Sequence, residues 1–271
     1  MLKKLTLKSS DYRIITAYLA SLIAVCVFFL SCGKAYKDIT TENGRRAISE
    51  TANSFLSAGQ CNRAIEVMQP LYDSIYVNTE IRLVYSSAYA CAGGFNFAAL
   101  IAGLSSTPFD IWSSLVKSNF SALATDGRTT NLQRAAEILR TTTTNSGSQQ
   151  AVDRPSDANL YMVFMQIELI STTISTSSMG LADESTGKKT RSINTLGTAA
   201  EKCVIEVAVA TISDCLNVVS TGTAIDTLNT TIQAICGGAC PTNKNPAVCS
   251  AAEQAQGDAL ITAIDGQWTL F

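Results

Sequence analysis

The sequence predicts an all-α protein in which helical hairpin repeats continue into a disulfide-linked helical bundle, after an N-terminal signal segment. Apolar residues recur at helical spacing in several long windows. Two of these windows repeat each other, because Gly59 and Gly93 stand 34 residues apart, as do Ala64 and Ala98. A fixed step of this size is typical of helical hairpins that stack to bury their apolar faces. No run of alternating apolar and polar residues is long enough to predict a sheet.

The first 31 residues predict an export signal. The segment begins with basic residues, namely Lys3, Lys4, Lys8 and Arg13. A largely apolar run of 17 residues, Ile14–Leu30, follows them. This order is typical of a targeting segment rather than of part of the fold. An uncleaved membrane anchor and an ordinary cleaved signal are two possible forms of this segment, and either places the bulk of the chain outside the cytoplasm.

The signal ends in Ser31-Cys32-Gly33. This ending resembles the lipobox of bacterial lipoproteins, although Phe29 stands where that family usually has Leu. In that family the cysteine becomes the first residue of the mature chain and carries the lipid. The resemblance implies lipidation at Cys32 and a place in the bacterial cell envelope, anchored by lipid to the outer membrane and facing the periplasm. The membrane is then a partner through the N-terminal lipid.

The use of cysteine agrees with an oxidising compartment. Of nine cysteines, Cys26 lies inside the signal and Cys32 at the lipobox. The seven others are Cys61, Cys91, Cys203, Cys215, Cys236, Cys240 and Cys249. Outside the cytoplasm such residues first suggest disulfides. Because seven is an odd number, one thiol stays outside the bonds or pairs between chains.

Six helices are predicted in the N-terminal half, over residues 44–58, 61–72, 79–92, 95–104, 110–124 and 132–140. In the two repeated windows the same places hold a small residue, an aromatic, a glycine, Cys61 or the aromatic Phe95, and an alanine. These places are Ala52, Phe55, Gly59, Cys61 and Ala64, then Ser86, Tyr89, Gly93, Phe95 and Ala98. The pattern resembles the tetratricopeptide repeat (TPR) family. The early Trp of that family is replaced by Ile48 and Arg82, and its closing Pro by Tyr76 and Asp110.

Stacked hairpins place the first helix of one repeat antiparallel to the second helix of the repeat before it. Cys61 opens the second helix of repeat one, and Cys91 closes the first helix of repeat two. These ends are expected to be neighbours, so we predict a disulfide between Cys61 and Cys91. The resemblance also implies a concave binding face on the repeats.

The C-terminal half predicts a second group of helices, over residues 158–179, 192–220, 224–235 and from about 246 to 264. The helix over 158–179 is apolar around much of its circumference, but Gln166 and Glu168 favour a buried bundle helix over a membrane span. The predicted organisation is a signal peptide (1–31), a tether (32–43), TPR-like helical repeats (44–140), a linker or long loop (141–157) and a C-terminal helical bundle (158–271).

Candidate catalytic and metal sites are weak. Cys236, Cys240 and Cys249 loosely resemble zinc spacing, but a structural zinc site needs a second pair of ligands and the chain has no His. We therefore predict disulfides in a Gly/Pro loop, namely Cys240 with Cys249, and Cys236 with Cys215 or Cys203. The spacing alone leaves the connectivity open. Ser185 lies near Lys188 and Lys189, but in a charged, Gly-containing loop with no sign of burial. We therefore predict no enzyme, no cofactor and no metal.

The functional expectation is a non-catalytic envelope lipoprotein that acts as a protein or peptide interaction scaffold through its repeats. The alternative is a solute-binding accessory lipoprotein of a transport system, a class that the chain resembles in architecture. The partner is thus an envelope protein or a small ligand, neither of which the sequence identifies. A net charge of −2 and the lack of a basic stripe argue against nucleic acid.

Overall fold

The computed structural model describes residues 38–95, 127–140, 154–177, 193, 198–219, 223–242 and 249–268. The described residues form helices and connecting turns without a strand, which confirms the all-α class. In chain order the helices are α1 Glu42–Ser57, α2 Cys61–Tyr72, α3 Thr79–Ala92, α4 Arg128–Arg140, α5 Ser156–Ser177, α6 Ala199–Leu216, α7 Thr223–Cys236 and α8 Ala251–Gln267. The predicted bounds of α2 and α3 are confirmed, whereas the helices predicted over 95–104, beyond Phe95, and over 110–124 lie outside the described residues.

Side-chain caps set where several helices begin. Thr41 Oγ1 accepts a hydrogen bond from the Gly44 N–H at 3.1 Å, so α1 starts two residues before the predicted position. Thr198 forms a capping box at the start of α6, and Ser250 forms one at the start of α8. The predicted start of α6 at 192 is therefore wrong. Ile193 lies outside that helix, and its N–H donates to Asp265 Oδ1 at 2.8 Å.

The turns after α1 and α3 are alike, but their step is 35 residues rather than 34. The Gln60 N–H donates to the Phe55 carbonyl at 2.8 Å, and the Phe95 N–H donates to the Ala90 carbonyl at 2.9 Å. The left-handed residue of these turns is Gly59 (φ 68°) in the first and Gly94 (φ 86°) in the second. The predicted match of Gly59 with Gly93 is wrong by one residue. Gly93 has a different role, because a Cβ there would lie 2.7 Å from Leu132 Cγ of α4.

The helices α1, α2 and α3 pack around one core of small and large apolar side chains. Ala52, Ala64 and Ala88 are each 0% exposed, which allows these helices to approach closely. Met68 and Tyr85 fill the space beside them.

The helix α4 joins this first core to a second one. Ile138 of α4 belongs to the core of α1–α3, while its neighbour Leu139 belongs to the core that α5, α6 and α8 share. The two residues follow each other in sequence, so they point to different sides of the helix. The cores on either side of the predicted linker are therefore in direct contact through α4.

The second core is centred on α5 and α6. The side chains from Met162 to Ile174 are all buried, which agrees with a central bundle helix. In the part of the chain that the structure describes, no helix combines the length and apolarity needed to cross a membrane. Arg154, inside the predicted linker, is itself buried, and its Nε donates to Asn159 Oδ1 at 2.9 Å. Residues 141–153 of that linker lie outside the described residues.

Two glycines of α8 give a matched test of its packing on α6. A Cβ at Gly257 would lie 2.5 Å from the Lys202 carbonyl oxygen, whereas a Cβ at Gly266 would meet no atom within 4 Å. We expect Gly257→Ala to lower the free energy of unfolding by about 1–3 kcal/mol, because the helices must separate. Gly266→Ala should raise it by up to about 1 kcal/mol through helix propensity. Urea unfolding of both variants measures this, and a stabilising Gly257→Ala would contradict the close packing.

Candidate interaction surface

A disulfide ties α2 to α3 at one end of the first core. Cys61 and Cys91 are bonded, with their sulfur atoms 1.98 Å apart and their Cα atoms 5.5 Å apart. This is the pair expected from the stacking of two hairpins. Cys61 is the first residue of α2 and Cys91 lies one residue before the end of α3. The bond fixes the end of the hairpins that is opposite to the α2–α3 loop.

The expected pairing of the C-terminal cysteines is wrong. Cys203 bonds Cys249 with Cα atoms 5.9 Å apart, and Cys236 bonds Cys240 with Cα atoms 4.7 Å apart. The positive φ of Gly237 and Gly238 turns the chain back within one short loop, which brings Cys236 to Cys240. The sequence suggests Cys203 only as an alternative partner for Cys236, but Cys203 lies near the start of α6, where α8 begins.

Cys215 is the cysteine beyond residue 32 that takes part in no disulfide. It is buried in α6, about 18 Å along the helix from Cys203 at 1.5 Å per residue. Arg154 Nη2 donates to its sulfur at 3.4 Å. The predicted bond from Cys236 to Cys215 or Cys203 is therefore not formed. Cys32 lies outside the described residues.

The sulfur atoms of the zinc-like segment are committed to disulfides. Cys236 and Cys240 bond each other, and Cys249 bonds Cys203. A disulfide sulfur is not a thiolate ligand. Within the described ranges, no group of three or more His, Cys, Asp or Glu residues is arranged to hold a metal ion.

A cluster of three tyrosines lies where α2, α3 and α4 meet. The rings of Tyr72 and Tyr85 are 4.5 Å apart, and the rings of Tyr85 and Tyr89 are 5.2 Å apart in an edge-to-face arrangement. The Tyr85 hydroxyl donates to Gln69 Oε1. Arg134 of α4 lies near enough to Tyr72 and Tyr89 for an electrostatic interaction. We call Gln69, Tyr72, Tyr89 and Arg134, which lie over the buried Tyr85, the tyrosine surface.

Polar contacts between α3 and α4 hold this surface in place. Arg82 is 5% exposed, and its Nη1 donates to the Ile138 carbonyl at 3.2 Å. The same guanidinium lies 5.8 Å from the centre of the Tyr72 ring. Ser86 Oγ donates to the Ala135 carbonyl at 2.9 Å. Arg82 is therefore a buried charged group that joins α3 to α4.

The exposed part of the tyrosine surface is suited to contact another molecule. Arg134 keeps 41% of its side chain exposed while it pairs with Glu137 at 2.7 Å. Tyr72 and Tyr89 are partly exposed. Tyrosine and arginine are enriched at the energetic centres of protein interfaces, because they combine a large apolar area with hydrogen-bonding groups. The phenol and guanidinium groups offer donors to carbonyl or carboxylate oxygens of a partner.

Sequence reasoning missed most of this surface. Tyr89 was identified as a repeat position, but Gln69, Tyr85 and Arg134 were not connected with it. A signal was present in part: Tyr85 and Tyr89 are four residues apart on one helix, and Gln69 and Tyr72 are three apart on another. The position of Arg134 depends on how α4 packs against α3.

Comparisons with known proteins identify no relative, since no protein-family model, curated protein or solved structure matches the chain.

The buried phenol of Tyr85 predicts a loss of stability at alkaline pH. Burial first, and then a hydrogen bond with Tyr89, raise the pKa of Tyr85 above its ordinary value of 10.0. A raised pKa in the folded state stabilises the protein at pH values below about 10, and this contribution disappears as the pH rises further. We expect the free energy of unfolding to fall as the pH rises above about 10. In the Tyr85→Phe variant this free energy should fall less steeply with pH.

Denaturant unfolding at a series of alkaline pH values measures the slope. Tyr161 of α5 is partly buried against the second core, and burial raises the pKa of its phenol to about 12. Tyr161→Phe should therefore reduce the slope independently, and the double variant should reduce it further. If the free energy of unfolding fell equally steeply with pH in Tyr85→Phe and in the unmodified protein, Tyr85 would not contribute to the alkaline loss of stability.

Proposed function

We propose that this chain is a non-catalytic, lipid-anchored protein of the bacterial cell envelope that presents its TPR-like helices as a scaffold for a protein or peptide partner. The tyrosine surface is the single observation that supports the scaffold most directly. It combines partly exposed aromatic rings with an exposed guanidinium on a framework of three packed helices. A rigid surface loses little conformational freedom when it binds.

The rigidity of that framework has two sources. The Cys61–Cys91 disulfide fixes α2 against α3. The side chains of Arg82 and Ser86 bond backbone carbonyls of α4, so α3 and α4 are also held in register. The binding groups therefore project from helices rather than from loops, an arrangement that positions side chains precisely.

The sequence motif at Cys32 supports the lipid anchor. Five residues lie between Cys32 and Asp38, where the described chain begins, so the helices would lie close to the membrane that holds the lipid. The proposed placement is the outer membrane, with the helices facing the periplasm. Disulfides at Cys61–Cys91, Cys203–Cys249 and Cys236–Cys240 are compatible with that oxidising compartment.

The proposal is tested by crosslinking the full chain in envelope fractions and purifying it with its adducts. Cys32→Ala should release the protein from the membrane, whereas Arg134→Ala should leave it on the membrane but reduce the yield of the crosslinked partner. Arg134 is partly exposed, so its replacement spares the core. Unchanged fractionation of Cys32→Ala would refute the lipid anchor. Capture of the same proteins by Arg134→Ala would refute the binding role of the tyrosine surface.

A further inference from the structure

The loop between α2 and α3 exposes an isoleucine that nothing in the described structure covers. Ile75 is 91% exposed, and the other exposed large apolar side chain of the described residues, Val218, is 37% exposed. Single exposed aliphatic residues are common on soluble proteins. The position of Ile75 relative to the N-terminal end of the described chain is what distinguishes it.

The loop has a defined conformation that directs Ile75 outward. Ser74 Oγ donates to the Leu71 carbonyl at 2.7 Å, and the Tyr76 N–H donates back to Ser74 Oγ at 3.2 Å. Val77 closes the turn by donating its N–H to the Ser74 carbonyl at 3.4 Å. We call Ser74–Val77 the Ile75 loop.

Arg45 ties this loop to the start of the described chain. Its Nη1 donates to the carbonyls of Ile39 and Thr40, each at 3.0 Å. The same guanidinium lies 4.5 Å from the centre of the Tyr76 ring. The chain therefore enters the fold directly beside the Ile75 loop. The Cys61–Cys91 disulfide lies at the opposite end of these helices, about 24 Å away for the 16 residues of α1.

The length of the preceding segment limits how far this end of the protein can be from a lipid on Cys32. Six residue steps lead from Cys32 to Asp38, and they span at most about 22 Å when fully extended. An anchored molecule therefore keeps the end that carries the Ile75 loop close to the bilayer.

We propose that the Ile75 loop contacts the bilayer surface, with the Ile75 side chain entering the boundary between phospholipid headgroups and acyl chains. Tyr76 lies next to it, and a tyrosine ring is typical of the headgroup level of a membrane. The contact gives the lipid anchor a second point of attachment and fixes the orientation of the helices. This inference rests on the proposed anchoring at Cys32.

Basic and acidic side chains are mixed at this end, which argues for an apolar contact. Arg45 and Arg46 lie there with Asp38, Glu42 and Asp73, and Arg46 also pairs with Glu50 at 3.0 Å. A mixed group of this kind provides no net positive patch for anionic headgroups. Association through the loop should therefore depend on Ile75 and change little with salt.

Photocrosslinking in the full chain tests the contact. The photoreactive residue p-benzoylphenylalanine replaces Ile75 in one variant and Ser57 in a matched control. Ser57 is also exposed, but it ends α1 on the side of the Cys61–Cys91 disulfide. After irradiation of intact membranes, mass spectrometry measures phospholipid adducts on each labelled peptide and acyl groups on the Cys32 peptide. We expect phospholipid adducts at position 75 and none at position 57.

The two readouts separate this inference from the proposed function. No adduct at position 75, or equal yields at both positions, would overturn the loop contact even if Cys32 is acylated. Adducts at position 75 on a chain whose Cys32 carries no acyl group would support the contact and refute the lipid anchor.

Discussion

Replacing Cys61 and Cys91 together with alanine should lower the free energy of unfolding by about 3.5 kcal/mol. The disulfide closes a loop with a sequence separation of 30 residues, and the loss comes from the greater freedom of the unfolded chain without it. The same change should also reduce the binding of a partner at the tyrosine surface, because Tyr85 and Tyr89 lie on the helix that the bond ties to α2. Guanidinium unfolding of the oxidised full chain measures the difference.

The Cys236–Cys240 bond provides the control for this experiment. It closes a loop with a sequence separation of only 4 residues, so its removal should cost clearly less. The chain-entropy argument predicts a gap of about 1.5–2 kcal/mol between the two double variants. Equal losses of stability, or a larger loss for the Cys236→Ala/Cys240→Ala variant, would show that the Cys61–Cys91 bond does not stabilise the fold by restricting the unfolded chain.

Truncating either of two neighbouring residues of α4 should destabilise the whole molecule. Ile138 is 0% exposed in the core of α1–α3, and Leu139 is 1% exposed in the core of α5, α6 and α8. Ile138→Ala and Leu139→Ala should each lower the free energy of unfolding by about 2–5 kcal/mol. Because α4 belongs to both cores, we expect the two cores to unfold in one common thermal transition, which each variant shifts to lower temperature.

Calorimetry distinguishes a common transition from separate ones. Glu137→Ala on the same helix is the control, since its side chain is 54% exposed and its loss should change stability by at most about 0.5 kcal/mol. Two transitions, of which Ile138→Ala moves one and Leu139→Ala the other, would contradict the coupling of the two cores through α4.

Local features of the fold could be predicted because they depend on neighbours in sequence. The bounds of α2 and α3 follow from apolar periodicity and from the turns beside them. The predicted equivalence of Gly59 and Gly93 is wrong by one residue. The sequence places two glycines after α3 and does not determine which of them adopts a positive φ. The structure assigns that conformation to Gly94, while Gly93 makes room for Leu132 of α4.

Features that depend on distant packing could not be predicted in the same way. The Cys203–Cys249 bond requires α8 to begin beside the first turns of α6, and its cysteines are 46 residues apart in sequence. The tyrosine surface likewise requires Arg134, which reaches Tyr72 and Tyr89 from a separate helix. The Cys61–Cys91 pair could be inferred because the repeated hairpins themselves place these two helix ends together.

We propose that the tyrosine surface contacts a protein partner in the envelope, and photocrosslinking from position 134 in intact cells is a direct test of this contact. Arg134 is replaced by p-benzoylphenylalanine, and Thr262, an exposed residue of α8, is replaced in the control. We expect a discrete protein adduct from position 134 that is absent from position 262 and whose yield falls in the Tyr89→Ala variant. The same adducts from both positions, or no protein adduct from position 134, would contradict it.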